Sequence, residues 1–274
     1  MPGIDRPDFK DRRDFMRSAG LAATGFAALP LVGCDTQSRV SLDQRGASNP
    51  LAIPRLQAGT IERGERVFRL SLTPGEKEFV PGTPSPTTGI DASYLGPTLE
   101  MRRGEQVRFH IDNKLAEDAT VHWHGFELPA TADGGPHQLV RPGERWSPSF
   151  EIRQRASLYW YHSHTHRRAG PQVYAGLAAP IYVRDEEEDR LDLPSRYGVD
   201  DIPLVVQDRV IDSSGRLVYP LNMHSRMMGV IGERIYVNGT ANAVFDGAAG
   251  PLRLRLLNGS NARFYTFSLE GDRP

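Results

Sequence analysis

Five of the eight histidines of this chain lie in two short segments, and four of them form pairs with one residue between the partners. On a β-strand, residues two apart point to the same face and lie about 6.6 Å apart along the chain. Each pair therefore predicts two imidazoles that project side by side, with the intervening residue turned to the opposite face. The pairs are His122 with His124, in the segment TVHWHGFELPATADGG at 120–135, and His162 with His164, in the segment YWYHSHTH at 159–166.

Two neighbouring strands that carry such pairs would bring four imidazoles together over one patch of surface. Neutral imidazole binds copper, zinc, iron and nickel, so this spacing indicates a metal site without choosing the metal. The alternative is that these are ordinary half-buried histidines with backbone hydrogen-bond partners. Two copies of the pair, each beside tryptophan, favour the metal site.

The elements that would position these pairs are strands. From Arg66 onward, short runs that alternate apolar and polar residues are separated by turn residues. In QVRFHIDN, for example, Val107, Phe109 and Ile111 alternate with polar residues, which predicts one buried and one solvated face. No stretch of core length has the 3.6-residue period of a helix. The sequence therefore predicts an all-β fold, a β-sandwich with at most minor helices.

Composition and pattern breaks give the organisation of the chain. Lys+Arg 33 against Asp+Glu 34 leaves a net charge of -1, so no overall field attracts nucleic acid. Like-charge repulsion should keep the acidic run after the first domain solvated. The second domain should be truncated, because its roughly 75 residues fall short of the ~100 of a complete sandwich. The predicted segments are 1–34, a twin-arginine-type signal segment; 35–60, a tether; 61–184, a first domain; 185–200, a charged linker; and 201–274, a second domain.

The first segment has the pattern of an export signal. Arg12 and Arg13 precede an apolar stretch, residues 19–32, that is shorter than the ~20 residues a membrane span needs. This arrangement resembles a twin-arginine signal and predicts an exported, periplasmic protein. The alternative is a surface helix that contains two arginines.

Cys34 is the only cysteine, so no disulfide can form within the chain. Its position after Leu31, Val32 and Gly33 resembles the cleavage box of a lipoprotein, where the thiol would carry a lipid anchor. The alternative is an incidental cysteine near an ordinary cleavage site.

The two histidine motifs with their flanks resemble the N-terminal portion of a multicopper oxidase, of the bacterial exported type that includes copper-efflux oxidases and laccase-like enzymes. The resemblance runs from about residue 60 to residue 274 and implies a cupredoxin-like Greek-key β-sandwich followed by an incomplete second cupredoxin-like domain. In that family a blue type 1 copper takes electrons from a phenol or a metal ion, and a trinuclear copper cluster reduces dioxygen to water. The segments that carry the resemblance are TVHWHGFELPATADGGPHQLVRPGE, YWYHSHTHRRAGPQVYAGLAAPIYV, IPLVVQDR and LRLRLLNGSNAR.

The resemblance also implies roles for individual residues. His122 would ligate the type 2 copper, and His124, His162 and His164 would ligate the paired type 3 coppers. Asp133 falls where the family has a carboxylate that helps deliver protons, and it also suits the turn before Gly134 and Gly135. His166 is expected to be structural.

A methionine-rich stretch offers a second candidate for soft-metal chemistry. Met223, His224, Met227 and Met228 could form a Cu(I) site, because thioethers favour that ion. The preferred interpretation is that these methionines fill packing gaps at the end of a strand.

The ligand set that the family requires is incomplete in this sequence. Further histidines, and a cysteine flanked by histidines for the type 1 copper, come from a C-terminal cupredoxin domain in the family. We therefore expect this chain to supply half of the trinuclear cluster ligands, to be inactive by itself, and to need that domain, dioxygen and a reducing substrate. The alternative is a non-catalytic, exported copper-binding or cell-division-type assembly protein, although the family's cell-division relative lacks the copper histidines kept here.

Overall fold

A computed structural model describes residues 48–268, which belong to one compact unit. The predicted signal segment, 1–34, and Cys34 lie outside the described residues. Within residues 48–268, no helix is long and apolar enough to cross a membrane.

Strands dominate the described part of the chain, which confirms the all-β prediction. The first ten strands are β1 (Asn49–Pro50), β2 (Leu56–Gln57), β3 (Thr60–Glu62), β4 (Glu65–Val80), β5 (Thr83–Ile90), β6 (Thr98–Arg102), β7 (Gln106–Asn113), β8 (His122–His124), β9 (Arg145–Trp146) and β10 (Ser149–Glu151). The later strands are β11 (Ser157–His162), β12 (Ala178–Arg184), β13 (Asp201–Ile211), β14 (Leu217–Val218), β15 (Arg234–Val237), β16 (Thr240–Ala241), β17 (Ala243–Val244) and β18 (Arg253–Asn258). The helices between 48 and 268 are short: α1 (Ala169–Ala175), α2 (Glu186–Asp189) and α3 (Met223–Met228).

Two sheets enclose the main core. One has the order β10-β7-β4-β3, with β5 on β4 and β9 on β7, and the other has the order β2-β6-β12-β11-β8. Val107, Phe109 and Ile111 of β7 are fully buried, while the polar residues between them are not, so the predicted alternation is confirmed. Phe109 meets Trp123 of the opposite sheet with ring centroids 4.1 Å apart. The strand that carries the first histidine pair is therefore anchored through its tryptophan.

A third sheet is built around β13, which begins at Asp201, where the second domain is predicted to start. Its order is β14-β13-β15-β16, and β18 pairs with β13 in parallel. The division into domains at 61–184 and 201–274 stays a prediction.

Where β12 meets β13 and β18, a group of arginines and acids is buried or partly buried, and we call it the charged junction. Arg255 donates to both carboxylate oxygens of Asp201, at 2.6 and 2.8 Å, and to Glu188 at 2.9 Å. Arg184 bridges to Asp201 at 3.1 Å, and its guanidinium and that of Arg255 lie over the ring of Tyr182. The residues of the charged junction are Arg184, Glu188, Asp201, Arg253 and Arg255.

The charged junction corrects the prediction of a solvated linker at two residues of the range 185–200, while most of the range is exposed as predicted. Asp185 and Glu188 are buried, and Asp185 caps α2 by accepting from the backbone N–H of Glu188. Glu188 can be buried because Arg253 and Arg255, far along the chain, neutralise it. Like-charge repulsion within the run is thus outweighed by cations that the linker sequence does not contain.

Part of the predicted tether also has structure. β1 pairs with β17 and β2 pairs with β6, so Asn49–Pro50 and Leu56–Gln57 are parts of sheets. The hydroxyl of Tyr197 donates to the carbonyl of Pro54 at 2.7 Å. The described end of the tether is therefore fixed to the rest of the fold.

Candidate metal centre

The two histidine motifs meet because their strands are neighbours. β8 pairs with β11 in antiparallel register, with His122 opposite His162 and Trp160 opposite His124. Directly opposite residues of an antiparallel pair point to the same face. The backbone register itself therefore brings imidazoles from both motifs onto one face of the sheet, as the sequence predicts.

Ring nitrogens from three of these histidines converge. One ligand atom each from His122, His124 and His162 lies within 4.8 Å of the others. His124 Nδ1 is 3.2 Å from His162 Nε2. Such spacing would let a metal ion lie between the nitrogens, because imidazole nitrogens bind transition metals at about 2 Å.

His164 belongs to the same group, although it lies outside the strand that carries His162. β11 ends at His162, so the strand geometry that we expected for the second pair covers only its first member. The His164 ring still lies 5.2 Å from that of His122 and 6.1 Å from that of His162. The four residues form what we call the histidine cluster: His122, His124, His162 and His164.

Hydrogen bonds select the nitrogen that each ring offers. His122 Nδ1 lies 2.9 Å from the backbone oxygen of Asp133, and His162 Nδ1 lies 2.8 Å from that of Ser163. A carbonyl oxygen can only accept, so in both rings Nδ1 carries the proton. Nε2 of His122 and His162 is then left with the lone pair that a metal requires.

The surroundings of His124 and His162 favour the neutral form of these two imidazoles. Burial lowers the pKa of His162 to about 3, against the opposing effect of the hydrogen bond to Ser163, and the neighbouring imidazoles lower it further. The pKa of His124 is lowered by burial and then by His122 and His164. Neutral rings are the form that binds metal.

The turn after the first motif brings Asp133 to His122. Gly134 has a φ of 74°, and a Cβ at this position would lie 1.7 Å from the carbonyl oxygen of Val121. Only glycine permits this close approach. The Asp133 carboxylate consequently lies 3.3 Å from His122 Nδ1, at a half-exposed position beside the cluster.

Trp160 and several polar residues support the cluster. The sequence pattern placed a tryptophan beside each pair but gave no supporting contact for it. Trp160 stacks on His162 with ring centroids 3.9 Å apart. Its position two residues before His162 on the same strand was the available signal, since such residues share a face. Thr120, Ser163 and Gln172 are buried around the second motif, and only the folded chain shows their contacts.

The remaining histidines and the methionine-rich stretch lie elsewhere. His110 contacts Ser147, and His166 is exposed. Met223, Met227 and Met228 lie on α3 with exposed fractions of 74%, 77% and 62%. The prediction that these methionines fill packing gaps is therefore wrong.

Comparisons with known proteins identify the family to which this fold belongs. A family model described as multicopper oxidase matches residues 72–188. The cell division protein FtsP of Xenorhabdus nematophila is 38% identical over 265 residues, which are 96% of this chain and 52% of that protein. The multicopper oxidase mco of Staphylococcus aureus is 34% identical, over 85% of this chain and 51% of that protein.

Solved structures give the same result for the fold. The laccase of Pediococcus acidilactici Pa5930 matches with a TM-score of 0.73 and 35% identity, over 78% of this chain and 46% of that one. This similarity confirms the cupredoxin-like fold predicted from the sequence. The chain spans about half the length of the curated relatives it matches.

Proposed function

Because this chain belongs to the multicopper oxidase family, we propose that its histidine cluster binds copper as part of an oxidase. The convergence of His122, His124 and His162, with ligand atoms within 4.8 Å of one another, carries this proposal. The donor set fits the ion, since neutral imidazoles suit copper. Copper held there would supply electron transfer from a reducing substrate to dioxygen.

The residues of the cluster would divide the work. By the family resemblance, His122 would hold the type 2 copper, and His124, His162 and His164 would hold the type 3 coppers. The backbone oxygen of Asp133 holds His122 through Nδ1, so that Nε2 would be free to bind the metal. These four histidines would be half of the ligands of a trinuclear site.

Asp133 would handle protons beside the cluster. Its carboxylate lies 3.3 Å from His122 Nδ1, and its side chain is 35% exposed. It can therefore accept hydrogen bonds from water and pass protons toward the reacting oxygen. Reduction of dioxygen to water consumes protons, so a carboxylate at this position serves the reaction.

We propose that the whole reaction couples one-electron oxidation of phenols or metal ions to the reduction of dioxygen to water. The type 1 copper and the remaining histidines would come from a C-terminal cupredoxin domain. The purified 274-residue chain should then show no steady oxygen uptake with a phenolic substrate. Steady uptake by this chain would overturn that part of the proposal.

Metal analysis tests copper binding. We expect the variant His122→Ala/His162→Ala to lose its bound copper after loading and desalting, because two converging ligands are gone. The matched control is His110→Ala/His137→Ala, which removes two imidazoles outside the cluster and should keep the wild-type copper content. Equal copper in both variants would overturn the proposal.

A second candidate function is a non-catalytic assembly protein that binds copper. The 38% identity to the cell division protein FtsP of Xenorhabdus nematophila favours it. The DNA downstream of codon 274 separates the candidates. An in-frame segment that encodes His-Cys-His supports the oxidase, and a stop codon supports the assembly protein.

Export to the periplasm is proposed from the sequence of residues 1–34. Replacing Arg12 and Arg13 by Lys should retain the protein in the cytoplasm, because the twin arginines would be the feature that is recognised. Cell fractionation followed by detection of the chain measures this. Periplasmic location of the variant would contradict export by this signal.

A lipid anchor on Cys34 is tested in the same fractionation. Wild-type chain in the membrane fraction that moves to the soluble fraction in Cys34→Ala would support the lipid anchor.

A further inference from the structure

We propose that Gln172 is a positioning residue, which fixes the segment carrying His162 and His164 and thereby sets the metal affinity of the histidine cluster. The proposal rests on the proposed copper function for one of its readouts. A second readout, in the metal-free protein, is independent of copper.

The histidine at 164 needs such support because it lies beyond the end of β11. Sheet pairing therefore does not set its direction. Its backbone N–H donates to Thr120 Oγ1 at 2.7 Å, and Thr120 is fully buried. The hydroxyl of Thr120 thus replaces the missing strand partner, two residues before the first motif.

The residue between the two histidines is held by Gln172. Ser163 Oγ donates to Gln172 Oε1 at 2.5 Å, and Gln172 Nε2 donates to the backbone oxygen of Asp118 at 2.8 Å. The Asp118 carbonyl can only accept, so the amide of Gln172 has one permitted orientation, with Oε1 toward Ser163. Gln172 and Ser163 are 2% and 1% exposed. A buried hydrogen-bond pair of this kind is costly to break.

Gln172 can act as a fixed point because α1, on which it lies, is tied to the third sheet. The hydroxyl of Tyr174 accepts from the backbone N–H of Val210 at 2.7 Å, and Asn261 donates to the carbonyl of Gly170 at 2.9 Å. The guanidinium of Arg209 lies 4.4 Å from the ring of Tyr174. Through Gln172, α1 therefore contacts Ser163, the residue between His162 and His164. Through Tyr174 and Gly170 it contacts β13 and the loop after β18.

The test compares Gln172→Met with Gln154→Met. Both remove a buried glutamine amide and keep the side-chain length. Within residues 48–268, however, the side chain of Gln154 bonds only to the backbone N–H of its neighbour Arg153. For Gln172→Met we expect copper affinity to fall about ten- to a hundredfold, the usual effect of removing a group that orients a metal ligand. The EPR spectrum of bound Cu(II) should change in the same variant. Gln154→Met should match the wild type in both measurements.

Hydrogen exchange of the metal-free protein provides the independent readout. Amides of residues 163–165 should exchange faster in Gln172→Met than in the wild type or in Gln154→Met. If Gln172→Met does not fold, Ser163→Ala removes the same hydrogen bond with a smaller change and should show the same two effects. Unchanged exchange and unchanged copper affinity would overturn the positioning role. Faster exchange in a chain whose wild type binds no copper would support positioning and reject the proposed function.

Discussion

The histidine cluster and the charged junction are both built from ionisable side chains, but they use them in opposite ways. In the charged junction the buried Asp201 carboxylate receives a two-point contact from Arg255 and a third from Arg184. In the histidine cluster, the ring of His164 makes no hydrogen bond to protein anywhere in residues 48–268, and Nε2 of His162 faces only another imidazole.

This difference distinguishes a structural site from a binding site. Side chains that are paired within the chain contribute to the fold, whereas ring nitrogens without a protein partner remain available to a metal. The charged junction is complete within the chain, because three arginines meet three carboxylates there once Glu100 is included. The proposed copper would give the ring nitrogens of the cluster the partners that the described residues do not supply. Substitutions in the first region should therefore change stability, and those in the second should change metal binding.

The largest expected effect comes from breaking the charged junction. Arg255→Met would leave the fully buried Asp201 without its two-point partner. Removing one member of a buried ion pair typically lowers the free energy of unfolding by about 3–5 kcal/mol. Urea unfolding of the metal-free protein measures the loss. A change no larger than that of a surface substitution would show that the charged junction does not hold the fold together.

In the histidine cluster we expect a substitution to leave stability almost unchanged and to lower copper affinity. His164→Ala removes an exposed ring that makes no protein hydrogen bond within the described residues. The free energy of unfolding should stay within about 0.5 kcal/mol of the wild type. Copper affinity should fall at least about tenfold, which corresponds to ~1.4 kcal/mol. Competition with a chromophoric copper chelator measures the affinity, and a variant that lost stability but kept its affinity would reverse the comparison.

The smallest effect is expected at an exposed ion pair. Arg69 donates to Glu62 at 2.7 and 2.9 Å, as short a contact as those in the charged junction, but both side chains are about half exposed. Water and salt screen such a pair, so Arg69→Ala should leave the urea midpoint within experimental error. A loss close to that of Arg255→Met would mean that burial does not separate the two classes of ion pair.

The sequence predicted much of the cluster because its signal is local. The period of two in His122 and His124 is a property of a single strand. The alternation of buried and polar residues around Phe109 is likewise a property of a single strand. The exact pairing of His122 with His162 depends on the register of two strands, which the pattern suggested without fixing. Gln172 could not be found in this way, because its role depends on contacts with Ser163 and Asp118.

The charged run at 185–200 shows where local reasoning fails. Glu188 looked solvated because its sequence neighbours are acidic, but its partners Arg253 and Arg255 lie more than sixty residues later. The packing prediction for the methionines of α3 failed for a related reason. An apolar residue in the sequence does not show whether another part of the chain covers it. Both outcomes depend on whether residues distant in the sequence contact the side chain: they do for Glu188 and do not cover the methionines of α3.

The central claim is that imidazoles from both motifs bind the same copper site. Pulsed EPR of the wild-type chain loaded with a substoichiometric amount of Cu(II) tests it directly, because remote imidazole nitrogens give a countable modulation. The family roles divide the histidines among the coppers of a complete cluster, whereas a single ion loaded into this half of the site should take the converging nitrogens. We therefore predict the signature of at least three imidazoles of the histidine cluster, reduced both by His122→Ala and by His162→Ala. A signature of one imidazole, or one that neither substitution changes, would contradict the account.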